Sequence, residues 1–119
     1  YKKQCYLVTH IIYAFSDWGQ HALRRELFAE EYEFIVTNMS DVMHILKDPE
    51  LVGEFLQCLR ILQVSTTQCT LFTAGLDFLL QVEKELSSMG RWVPTRNAKR
   101  EDAYTQYHAT YCAVVGLVD

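Results

Sequence analysis

No apolar run in this chain approaches the ~20 residues that a membrane-spanning helix requires, so no membrane partner is expected. Tyr1-Lys2-Lys3 is not followed by a small-residue cleavage site, and no signal peptide is expected either. Several chemical signatures are missing: there is no Gly-rich phosphate loop, no GxSxG and no dinucleotide fingerprint. HExxH, ExxH and HxH are absent too, so neither a metal nor a cofactor is predicted. Cys5, Cys58, Cys69 and Cys112 lie far apart with no CxxC, a pattern that favours reduced, buried thiols in a cytoplasmic protein and calls for no disulfide. A concentrated basic surface is lacking as well. The net charge is −4, and Arg91, Arg96, Lys99 and Arg100 stand beside Glu101 and Asp102, which reads as a solvated loop rather than a nucleic-acid site.

What is present is a globular composition, 50% apolar, 13% aromatic and 22% charged, over a length that builds one core. No segment shows a period of two, whereas helical periodicity recurs throughout. A first helix is expected over roughly residues 2 to 16, breaking at Ser16-Asp17-Trp18-Gly19 with glycine as its C-terminal cap. From Leu23 to Lys47, Phe28, Tyr32, Ile35, Met39, Val42 and Leu46 fall at steps of 4, 3, 4, 3 and 4, the buried stripe of one long helix. Asn38 and Ser40 compete for its backbone hydrogen bonds. Asp48-Pro49 is a restart signal, Asp as N-cap and Pro at the first helical position.

A third helix then buries Leu51, Val52, Phe55, Leu56, Leu59 and Leu62. After Ser65-Thr66-Thr67 a fourth carries Leu71, Phe72, Leu76, Leu79, Leu80, Val82 and Leu86 to Gly90. Gly75 within it either admits a close neighbour or lowers helix stability. Residues 90–101 are the one long loop, and Asp102 caps a fifth helix that runs to the end. The prediction is an all-α fold of about five helices in antiparallel hairpins, one helical domain over residues 1–119. Because the chain opens and closes inside apolar periodic segments, it is expected to be a fragment or subunit of a larger α/α ring or bundle.

Within the first helix, Tyr6, His10, Tyr13 and Asp17 are spaced 4, 3 and 4, so they share a face if the helix persists to residue 17. The last helix repeats the spacing with Tyr104, His108 and Tyr111. If both helices aim into one hollow, His10 oriented by Asp17 and complemented by His108 is a candidate catalytic set. Tyr6, Tyr13, Tyr104 and Tyr111 would then bind substrate. The competing reading is a packed core whose tyrosines reach its edge and whose histidines are satisfied by backbone carbonyls. His21 and His44 read as surface residues, and Cys58 and Cys69 as small core fillers.

Tyr6-x-x-Thr9-His10, followed by Tyr13-x-x-Ser16-Asp17-Trp18-Gly19, resembles the Tyr-x-x-Thr-His…Tyr-x-x-Thr-Asp-Phe-Gly signature of a group of largely uncharacterised actinobacterial all-helical proteins. Tyr107-His108-Ala109-Thr110 matches the later aromatic helix of that group, while Ser16 and Trp18 depart conservatively from its pattern. The resemblance implies a tailoring enzyme of natural-product biosynthesis, or the partner of one, without naming a reaction. Three functions follow as expectations. One is acid–base catalysis on a largely apolar small molecule or modified peptide. The second is a helical interaction module or structural subunit, a homo-oligomer or one completed by a partner chain. The third is a regulatory domain that binds a small ligand in the same hollow.

Overall fold

A computed structural model describes residues 1–65 and 69–86. Among them are four helices and no strand: α1 (Lys2–Phe15), α2 (Ala29–Asp41), α3 (Pro49–Ile61) and α4 (Thr70–Leu86). The expected fifth helix, with His108, Tyr104 and Tyr111, lies outside the described residues, as do Thr66 and Thr67.

The Asp48-Pro49 signal starts α3 as its chemistry dictates. Asp48 Oδ1 accepts the Leu51 N–H at 3.2 Å, and its Oδ2 takes the Lys2 ammonium at 2.7 Å. The six apolar residues expected on this helix and its C-cap are all buried, and α3 packs against α1, α2 and α4 alike. It is the central element of the fold.

The long second helix is observed as a run of changing pitch. A 3-10 turn at Arg25–Phe28 leads in, α2 follows, and a π-helical turn at Val42–Leu46 leads out. Lys47 then takes the left-handed conformation (φ 50°), and the Asp48 N–H closes the end on the Val42 carbonyl at 3.3 Å. Asn38 competes for the backbone as its chemistry suggests, its Nδ2 donating to the Phe34 carbonyl at 2.8 Å. Of the predicted stripe, Ile35, Met39 and Val42 are fully buried.

Successive helices run antiparallel. Tyr1 Oη donates to Asn38 at one end of the α1–α2 pair, and Phe15 meets Phe28 edge-on at 5.5 Å at the other. In α4, Phe72, Gly75 and Leu79 are buried, but Leu80 is more than half exposed, one position off the stripe. Gly75 resolves in favour of close approach: a Cβ there would stand 2.8 Å from Leu56 Cδ2, well inside contact distance. At the same interface the Arg60 guanidinium lies 5.5 Å from the Phe72 ring centre.

Candidate functional site

α1 ends at Phe15, two residues short of the Asp17 that the predicted stripe needs. Ser16 Oγ bonds back to the Tyr13 carbonyl at 3.3 Å and accepts the Gly19 N–H at 3.0 Å. The reversal is carried by Asp17, Trp18 and Gly19 together, all with positive φ (52°, 57° and 89°), rather than by the glycine alone. Asp17 therefore leaves the helical face. Its carboxylate is exposed and makes no hydrogen bond to His10.

The other three residues of the first stripe do come together. The His10 ring lies edge-on to Tyr6 at 6.2 Å and to Tyr13 at 5.9 Å. The turn adds a ring that sequence spacing did not anticipate: Trp18 stacks on Tyr13 at 5.3 Å and meets His10 edge-on at 6.2 Å. His10 Nδ1 sits 2.7 Å from the Tyr6 carbonyl oxygen. A carbonyl only accepts, so Nδ1 carries the proton and Nε2 holds the lone pair of the neutral ring. The imidazole is exposed.

The phenols point away from His10. Tyr6 Oη donates to Glu50 Oε1 at 3.0 Å, and Tyr13 Oη donates to Gln57 Oε1 at 2.7 Å. Between them Thr9 Oγ1 donates to Glu54 Oε2 at 2.7 Å, and the Cys58 thiol lies 3.9 Å from the Thr9 carbonyl oxygen. Residue numbers rise in the same direction on both helices, so α1 and α3 are parallel and joined by a three-rung polar ladder. Glu54 is 2% exposed and needs such a donor, because an unpaired buried carboxylate is costly. Burial first, and then the negative charges of Asp48 and Glu50, push the Tyr6 phenol well above its usual range.

Glu50, Glu54 and Gln57 are residues that the sequence reading passed over. Their signal was present as a 4, 3 spacing of polar side chains inside an otherwise apolar helix. His21 and His44 are exposed, as expected, and Cys58 is a buried filler, whereas Cys69 is only half-buried. Cys69 borders an open groove of about 530 Å³ with Arg25, Tyr32 and Thr70, where the Arg25 guanidinium lies 5.0 Å from the Tyr32 ring centre. Among the described residues, none of the predicted site residues (Tyr6, His10, Tyr13 and Asp17) lines this groove. Among the described residues no group of three His, Cys, Asp or Glu converges as a metal site.

Burial, and then the neighbouring Glu54 charge, raises the Cys58 thiol well above its ordinary value of 9.0. Its folded pKa exceeds its unfolded one, so the associated stability is complete below pH 9 and is lost as pH rises above it. Denaturant unfolding between pH 9 and 10.5 should show stability falling by up to about 1.4 kcal/mol per pH unit from this one group. Cys58→Ala should flatten the slope, and an unchanged slope would refute the assignment.

Compared with known proteins, the chain matches no family model, no curated protein and no solved structure.

Proposed function

We propose that the chain is a helical interaction module that completes its packing with a partner chain. The observation that carries this reading is the second face of α1. Cys5, Thr9, Ile12 and Ser16 face the core, while on the opposite side of the same helix Leu7 is 61% exposed, Ala14 is exposed and Ile11 is half-buried. Phe15 (68% exposed) and Trp18 (66%) add exposed apolar surface at the C-terminal end of the helix. A helix with apolar side chains on two opposite faces is suited to lie between two bodies, only one of which is found among the described residues. The hydrogen bonding of the polar face supports the reading. The Tyr6 and Tyr13 hydroxyls, the strongest candidates for substrate binding in the described residues, are committed to α3.

The reading predicts that Leu7→Glu leaves helical circular dichroism and the thermal midpoint unchanged while abolishing association seen by light scattering. A midpoint that falls by several degrees would mean that the face is already covered inside the chain, and the proposal would fail.

One observation favours a second reading, the natural-product tailoring enzyme. With Nδ1 held by the Tyr6 carbonyl, His10 presents Nε2 as a base from an exposed ring flanked by Tyr6, Tyr13 and Trp18. On this reading His10→Ala and His108→Ala each abolish turnover of an apolar small molecule or modified peptide while the protein stays folded. Wild-type turnover in both would dispose of it.

A further inference from the structure

The charges at the two ends of α1 are reversed relative to those its dipole favours. A helix is stabilised by acidic groups at its N-terminus and basic groups at its C-terminus. Here the first turn holds Lys2 and Lys3 with no acid, the last turn holds no base, and Asp17 follows immediately. Lys2 is accounted for by Asp48. Lys3 and Asp17 are both exposed and form no ion pair among the described residues. They stand at opposite ends of the apolar strip formed by Leu7, Ile11 and Ala14.

From this arrangement we infer that the occupant of the outer face of α1 is a second copy of the same chain, with the two α1 helices antiparallel about a two-fold axis between residues 10 and 11. The inference rests on the interaction-module reading and names its partner. An antiparallel copy brings the partner's Asp17, and the negative end of that helix, to Lys3, and the symmetric contact repeats at the far end. Leu7 of one copy then packs over the partner's small Ala14, a large-into-small fit repeated by symmetry. A parallel pair would instead set Lys3 against the partner's Lys3. The apolar strip fits its copy in either sense, and the reversed charges select the antiparallel one.

The test is sedimentation equilibrium of the full 119-residue chain, whose monomer mass is 13.9 kDa. Twice that mass is expected, with dissociation to monomer in Ile11→Glu, which sets two carboxylates together at the axis. Lys3→Asp and Asp17→Lys should each weaken the dimer about tenfold at low salt, and the chain carrying both changes should recover most of the loss. A dimer indifferent to Ile11→Glu, or a double swap that recovers nothing, overturns the inference.

A wild-type chain that stays monomeric at every concentration overturns it too, and the thermal midpoint of Ile11→Glu then decides the reading beneath it. An unchanged midpoint leaves the module reading standing with a foreign partner. A lowered midpoint shows that the face is packed within the chain, and removes both.

Discussion

Phe55→Ala is expected to cost about 3–5 kcal/mol, because a ring fully enclosed by packed neighbours leaves a cavity that those neighbours only partly fill. Phe55 stands near the middle of α3, the helix that α1, α2 and α4 all pack against, so collapse from any one side is hindered by the other two. Set against a total of about 5–15 kcal/mol for a domain, the loss approaches unfolding. Urea titration should show the midpoint falling steeply with little change in slope. A loss under about 1 kcal/mol would contradict a central, close-packed α3.

Thr9→Val should cost about 1.5–3 kcal/mol despite conserving shape and raising apolarity, since it strips a buried carboxylate of a charge-assisted hydrogen bond. Thr9→Ser keeps the hydroxyl and should retain most of the stability, losing only what a missing methyl contributes. If the valine and serine variants unfold at the same urea concentration, the Thr9–Glu54 rung does not hold α1 to α3. Circular dichroism at the helical minimum is a sufficient readout for both.

The elements that could be read from the sequence are those decided locally. Asp48 and Pro49 start a helix because a carboxylate accepts the free N–H of Leu51 and proline needs none of its own. The stripe from Phe28 to Leu46 needs only a constant angular step, and it survived changes of pitch at both ends. Tyr6, His10 and Tyr13 were grouped correctly for the same reason.

The condition on Asp17, a helix that persists to residue 17, is not met, because the Ser16 hydroxyl captures the Gly19 N–H and the chain turns one residue before it. Periodicity carries no information about such a competition. That the phenols would serve Glu50 and Gln57 rather than a hollow depended on which helix lies beside α1, and this is set by tertiary packing. The apolar residues on the flanks of α1, Leu7 and Phe15 among them, suggest burial on most sides, yet these two are exposed. Their exposure required knowing which side the core had taken.

The rungs of the α1–α3 ladder join residues 44 or 45 apart in the chain. On a ribosome, α1 and α2 therefore emerge and meet while the Thr9 hydroxyl and both phenols still face water, and nothing yet fixes the first helix on that side. The first helix acquires its register against α3 only when translation has delivered Gln57, and closing that loop slows the step at which the chain matures.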